Sequence, residues 1–249
     1  MNELQLRQNF VNAAISYLGT QEGSSKHKYI IDTYNKITPL PQGYSVKYND
    51  SWCATFVSFV AKITDNLDIV PAECSCNRQI ALWKKLGRWE ENDACQPKVG
   101  DIIYYSWSDS GAGDCTGSSD HVGIVAFISG SNITVIEGNK NDAVSYRNIA
   151  VNGKFIRGYG KPNFASKATS SEESVFSMEL KVLKKGSNGE QVKALQILLM
   201  GRGYSLPKYG ADGSYGDETV RAVKAFQKAK NIAVDGIAGK DTFSKLLGV

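Results

Sequence analysis

An α+β chain with a second, all-helical domain is what this sequence predicts, and three observations predict it. Amphipathic helical patterns recur as far as Leu86, four short apolar or alternating strands follow between Asp101 and Tyr159, and beyond a small polar stretch the pattern turns helical again. Over 249 residues the apolar fraction is 42% and the charged fraction 22%, ordinary values for globular protein and room enough for one medium domain and a small partner.

The first helix follows from Leu6, Phe10, Ala13 or Ala14, and Tyr17 or Leu18 at helical spacing, with Gly19 ending it. A polar loop from Gln21 to Lys28 leads to a short helix over Tyr29 to Asn35, and Pro39, Pro41 and Gly43 then break regular structure. From Ser51 a helix resumes, with Phe56, Val57, Val60 and Ala61 on one side. Ile80, Leu82 and Trp83 mark another over Gln79 to Leu86. Strands are expected at Asp101–Tyr105, His121–Ile128, Asn132–Glu137 and Lys154–Tyr159. Ser129-Gly130-Ser131 makes the middle two a hairpin. Helices first and a small antiparallel sheet afterwards is the layout of papain-like hydrolases.

Residues 1–164 form the expected first domain. Residues 165–178, which include Ala165-Ser166-Lys167-Ala168-Thr169-Ser170-Ser171, are small, polar and without apolar period, a flexible linker. Residues 179–249 form the second domain. Val192, Leu195, Leu198 and Leu199, then Val220, Val223 and Phe226, then Phe243, Leu246 and Leu247 mark three helices. Asp212-Gly213 through Thr219 is echoed by Asp235-Gly236 through Thr242, which two copies alone leave as a recurrent turn before a helix.

The chemistry centres on Cys53, in Trp52-Cys53-Ala54, at the start of an apolar helix. A helix N-terminus favours the thiolate, and the Cys53 N–H is placed to face a developing oxyanion. His121 opens an alternating strand and is the histidine suited to serve as base. His27, among Ser24, Ser25, Lys26 and Lys28, reads as a solvated loop residue. Glu137 and Asn139 are two apart and share a face if the strand reaches that far. Either then orients the imidazole, with Glu137 the better group because its charge also stabilises imidazolium; a polar strand end is the equal alternative. Tyr104, Tyr105 and Trp107 are either groove aromatics or core.

Cys53, Cys74, Cys76, Cys95 and Cys115 make an odd, irregular set that argues against a disulfide framework, and Cys74-Ser75-Cys76 is too close for a zinc pair. The remaining cysteines are expected to be buried or partly buried free thiols. Asp109, Asp114 and Asp120, in or beside a glycine-rich stretch, match no calcium loop and are expected to be solvated, so neither metal nor cofactor is expected. No run of about eighteen apolar residues exists, so no membrane span is expected. The start lacks a signal-peptide pattern, so the chain is expected to be made in the cytoplasm and not exported by the standard secretory route. Residues 1–164 hold 16 Lys+Arg and 16 Asp+Glu, so the net charge of +4 resides in the remainder. That suits an anionic polymer such as a cell wall and is too mild for nucleic acid.

At these residues the chain resembles the CHAP family, the cysteine- and histidine-dependent amidohydrolase/peptidases of bacteria and their phages. Trp52-Cys53-Ala54, Gly100-Asp101-Ile102, Asp120-His121-Val122-Gly123-Ile124-Val125 and Ile136-Glu137-Gly138-Asn139 carry the likeness, over roughly residues 5–164. It implies a papain-like catalytic domain with Cys53 as nucleophile, His121 as base and Glu137 and Asn139 as orienting residues. Calcium-binding aspartates of some members have no counterpart before Cys53. Residues 180–248 resemble the three-helix peptidoglycan-binding domain, through Leu183 to Val192, Asp212-Gly213, Gly216, Thr219, Ala222-Val223 and Phe226-Gln227. Together these imply a monomeric wall-lytic enzyme of the phage endolysin type, acting on bacterial peptidoglycan after release. The expected reaction is N-acetylmuramoyl-L-alanine amidase chemistry through a cysteine thioester. A peptidoglycan endopeptidase, a non-catalytic wall-binding phage protein and an intracellular cysteine protease are the alternatives.

Overall fold

The computed structural model describes residues 1–108, 116–169 and 182–247. Contacts divide the chain into two compact units, Met1–Ser174 and Val175–Val249. Among the described residues there are seven α-helices and one six-stranded antiparallel sheet. No helix there is long and apolar enough to cross a membrane.

In the first unit α1 (Glu3–Ile15) starts at a capping box in which Asn2 and Gln5 satisfy each other's backbone N–H, and it buries Phe10, Val11 and Ala14. Helix α2 (Ser25–Tyr34) begins four residues before the expected Tyr29, because Ser24 accepts the His27 N–H as an N-cap. Helix α3 (Cys53–Ile63) is buried from Cys53 to Ala61, as a helix apolar on nearly every face must be. Helix α4 (Cys76–Lys85) starts at Cys76 rather than at Gln79.

The strands are β1 (Trp89–Glu90), β2 (Ile102–Tyr105), β3 (His121–Ser129), β4 (Asn132–Glu137), β5 (Ser145–Ala150) and β6 (Ile156–Gly160), in the order β1-β6-β2-β3-β4-β5. The expected hairpin is β3–β4. Strand β5 escaped the sequence reading because Ser-Tyr-Arg-Asn-Ile-Ala is an edge strand with little apolar alternation. One face of the sheet, with Ile102, Tyr104, Val122, Ile124, Ala126 and Ile136, joins the core of α1, α2 and α3. The other carries a smaller cluster of Ile103, Tyr105, Val125, Ile133, Val135, Ile156 and Tyr159.

Asp101, part of the motif Gly100-Asp101-Ile102, is a clamp. It is fully buried and accepts from Arg7 and Lys161, each at 3.0 Å, and from the Lys98 N–H at 2.8 Å. The residues read as the start of a linker are held to this unit. Phe164–Lys167 is a 3₁₀ turn with Phe164 buried, and the Lys167 ammonium donates to Asp68 at 2.8 Å. The rest of that segment, residues 170–178, lies outside the described residues.

The second unit packs α5 (Glu190–Gly201), α6 (Asp217–Ala229) and α7 (Lys240–Leu247) around Val192, Leu195, Leu199, Val223, Phe226, Phe243 and Leu246. The repeated Asp-Gly turn is more than a recurrent turn, because both copies are wired alike. Gln196 Nε2 donates to Asp212 Oδ1 (2.9 Å), the Ser214 carbonyl (2.9 Å) and Thr219 Oγ1 (3.0 Å), while its Oε1 accepts the Gly213 N–H at 2.8 Å. Gln227 repeats this on Asp235 (2.8 Å), the Ile237 carbonyl (2.9 Å), Thr242 (3.0 Å) and the Gly236 N–H (2.9 Å). In each copy a buried glutamine ties an exposed Asp and a buried Thr to the turn and accepts the buried glycine N–H.

Candidate active site

Cys53 is the first residue of α3 and His121 the first of β3, so the two meet where helix and strand begin. The sequence places them 68 residues apart, and the helix laid on the sheet brings them together. His121 Nε2 is 3.1 Å from Glu137 Oε2, and Glu137 Oε1 accepts from Arg147 Nε at 2.7 Å. Since Nε2 is taken by Glu137, Nδ1 is the ring nitrogen left for the Cys53 sulfur. Both side chains of the carboxylate–imidazole pair are nearly dry, Glu137 at 0% and His121 at 11% exposure, which strengthens the attraction between them.

Gly123 makes this contact possible. A Cβ there would lie 2.5 Å from Val135 Cγ1 and 2.7 Å from Glu137 Cγ. The missing side chain is the space through which Glu137 reaches His121. Gly138 has the matching role on the other side, since a Cβ there would lie 2.5 Å from Phe56 Cβ, so the end of β4 presses directly on α3.

The charges are mutually supporting. Burial works against the His121 cation, but hydrogen bonds to Cys53 and Glu137 and their charges push its pKa up to about 9. The Cys53 thiol is held well below its ordinary value. A hydrogen bond from Cys76 contributes most and burial opposes it, while His121 and the Ala54 N–H add to the lowering. For Glu137, burial raises the pKa, but His121 and Arg147 outweigh it and keep the carboxylate ionised. The contacts thus favour a charged imidazole flanked by the ionised Glu137 carboxylate and a Cys53 thiol whose anion is stabilised, with the Arg147 guanidinium closing the row.

Asn139 is placed differently from the other three. Strand β4 ends at Glu137, and Asn139 has a left-handed backbone with φ of 57°, so the strand spacing that would set it beside Glu137 does not continue to it. Among the described residues no hydrogen bond joins its side chain to His121 or Glu137. His27 is a correction. It is fully buried inside α2, packs on Trp52 with ring centroids 4.8 Å apart, and accepts the Gly23 N–H on Nδ1. The run of polar neighbours hid one apolar helix face.

Sequence reasoning missed Arg147, whose only cue was an arginine in an unrecognised strand, and Cys76, whose Sγ lies 3.7 Å from that of Cys53. Tyr104 and Tyr105 are fully buried, while Trp107 is 40% exposed. Trp107 stacks on Tyr105 at 5.0 Å and 10°, and Arg147 lies 4.9 Å over its ring, giving an aromatic shoulder beside His121. Asp109, Asp114 and Cys115 lie outside the described residues. Cys53, Cys74, Cys76 and Cys95 are free, and among the described residues no group of three or more His, Cys, Asp or Glu is placed to hold a metal ion.

Comparisons with known proteins bear on the two domains. Residues 43–139 match the CHAP domain and residues 188–246 the putative peptidoglycan binding domain. The chain is 56% identical over 84 residues to the N-acetylmuramoyl-L-alanine amidase CwlL of Bacillus licheniformis, covering 34% of this chain and 23% of that protein. It is 44% identical over 64 residues to a zinc D-Ala-D-Ala carboxypeptidase of Streptomyces albus G, covering 26% of this chain and 25% of that protein. The chain thus spans about a quarter of the length of these curated relatives. Among solved structures, a peptidoglycan-binding protein from Clostridioides difficile in complex with glutamine hydroxamate is 25% identical with a TM-score of 0.28, covering 67% of this chain and 84% of that one. By both sets of matched residues, the chain carries a CHAP domain followed by a C-terminal peptidoglycan-binding domain.

Proposed function

We propose that this chain is a peptidoglycan hydrolase that cleaves an amide of the stem peptide through a Cys53 thioester, as an N-acetylmuramoyl-L-alanine amidase. The observation that carries the proposal is the row Cys53–His121–Glu137, buried and closed by Arg147, in which His121 and Glu137 are hydrogen-bonded and the Cys53 thiol is pushed down, an arrangement that wall binding alone does not require. The CHAP match, the peptidoglycan-binding match and the amidase among the relatives support the reaction class and the polymer. The same reading has the chain made inside the producing cell and acting on the wall after release.

In this mechanism the Cys53 thiolate attacks the amide carbonyl carbon, and the oxyanion is met by N–H groups at the start of α3, which have no acceptors within the helix. His121 gives its proton to the departing amine as the C–N bond breaks, leaving a thioester on Cys53. Neutral His121 then takes a proton from water, the hydroxide attacks the thioester, and the Cys53 thiolate leaves with His121 again protonated. Glu137 orients the ring through Nε2 and stabilises its charge, and Arg147 keeps Glu137 ionised. Asn139 enters only through the family resemblance and has no step here.

The test is digestion of purified peptidoglycan, with products read by mass spectrometry and Cys53→Ala as control. Free stem peptides with a new L-Ala amine and intact glycan are expected. Shortened stems still attached to muramic acid would instead identify an endopeptidase, and lysis by Cys53→Ala would remove the thioester from the mechanism.

A further inference from the structure

The Cys53 sulfur has a second buried partner that the mechanism above leaves idle. Cys76 opens α4 as Cys53 opens α3, so two thiols at two helix starts face each other with their sulfurs 3.7 Å apart. We propose that Cys76 is a positioning residue, whose S–H donates to the Cys53 sulfur and fixes the direction from which that sulfur attacks. The proposal rests on the reading of Cys53 as nucleophile.

The direction of the bond follows from chemistry. A thiolate paired with an imidazolium has no proton to give, so in the Cys53–Cys76 pair only Cys76 can donate. A thiol is a weak donor to a neutral acceptor and a better one to an anion. The groups facing the pair keep the proton on Cys76. His121, from the start of β3, favours the anion on Cys53 alone, as does the Ala54 N–H. Cys53 itself, burial and the Asp120 carboxylate disfavour an anion on Cys76, and together they outweigh the favourable contact with its own backbone N–H. In line with this, the shared hydrogen bond is the largest cause of both the lowered Cys53 pKa and the raised Cys76 pKa.

The position of Cys76 is also built rather than incidental. Asn77 Oδ1 accepts the Ser119 N–H at 2.8 Å and its amide donates back to the Ser119 carbonyl at 3.3 Å, tying the first turn of α4 to the residue two before His121. One turn on, the Tyr104 hydroxyl donates to Gln79 Oε1 at 2.8 Å and accepts from Trp83 Nε1 at 2.7 Å, both bonds buried. The Glu73 carboxylate accepts the Cys74 N–H at 2.8 Å and the Ser75 N–H at 3.3 Å, closing the approach to the helix. Thiol and imidazole thus share one scaffold through Asn77 and Ser119.

The test follows the rate of Cys53 alkylation by iodoacetamide against pH, with the modified cysteine located by peptide mass mapping. Cys76→Ala is expected to shift the midpoint upward by about one unit, slowing alkylation about tenfold below the new midpoint. Cys76→Ser, which keeps an O–H donor, is expected to stay near the wild-type profile. Cys76→Val, which removes the donor while keeping bulk, should match Cys76→Ala and replaces it if alanine does not fold. Hydrolysis should follow the same order, with its acidic limb moved upward in the two donorless variants. Overlap of the Cys76→Ala and Cys76→Val profiles with wild type, or a Cys76→Ser shift as large as theirs, would overturn the proposal. Alkylation needs no peptidoglycan, so the result is independent of whether Cys53→Ala abolishes lysis.

Discussion

His121 holds a proton at neutral pH because two anions face its ring, and this has a measurable consequence. With its pKa pushed up to about 9, the reactive thiolate–imidazolium form persists until the histidine titrates, so kcat/KM should fall as pH rises through about 9. Replacing Glu137 with Gln removes one of the two anions and should move that alkaline limb down by about one unit; an unmoved limb would mean that Glu137 does not tune His121. The stability contribution has the matching sign. A folded pKa above the ordinary value of 6.5 stabilises fully below that value, and the gain is lost as pH rises through about 9. Cys53, His121 and Glu137 were legible in sequence because each stands at the end of an element whose pattern could be read. Arg147 and Cys76 were not, because strand register and helix docking place them, and neither leaves a local trace.

At the scale of elements, the β3–β4 hairpin decides whether the site exists. Its register sets Ile124 opposite Ile136, and one step further Gly123 stands under the Glu137 side chain. Adding one methyl group at Gly123 meets both Val135 and Glu137 at impossible distances and forces both to move, at a cost of about 1–3 kcal/mol for overpacking. Gly123→Ala is therefore expected to lower kcat/KM by more than its loss of stability explains, because the shift falls on the group that orients His121. Calorimetry beside pH-resolved kinetics would check this, and a variant with lowered Tm but unchanged kinetics would refute it. The hairpin, α1 and α3 were readable because their apolar patterns are long and, in the hairpin, joined by a Ser-Gly-Ser turn. Strand β5 and the start of α2 were not, since an edge strand tolerates polar residues on both sides and Ser24 caps a helix whose first turn is almost wholly polar.

At the scale of the molecule, chemistry and the excess of positive charge belong to different parts of the chain. The first unit holds the thiol and imidazole, while all the excess positive charge lies beyond residue 164. On the proposed reading, the second unit raises the first unit's local concentration on the wall and contributes nothing to bond cleavage. The glutamine staples provide a way to separate the two effects. Gln196→Ala leaves the buried Gly213 N–H without its acceptor and takes one partner each from Asp212 and Thr219, at roughly 1–3 kcal/mol for the buried N–H left unsatisfied. Gln227→Ala should cost about the same, because its four bonds repeat those of Gln196. Both variants should weaken binding to purified walls and slow their lysis near the melting range of the second unit. Neither should alter cleavage of a short soluble muropeptide, which needs no tethering. Parallel measurements of wall binding, wall lysis and muropeptide cleavage would decide the matter. Equal losses on walls and on the soluble fragment would show that the second unit takes part in the active site and that its role is more than avidity.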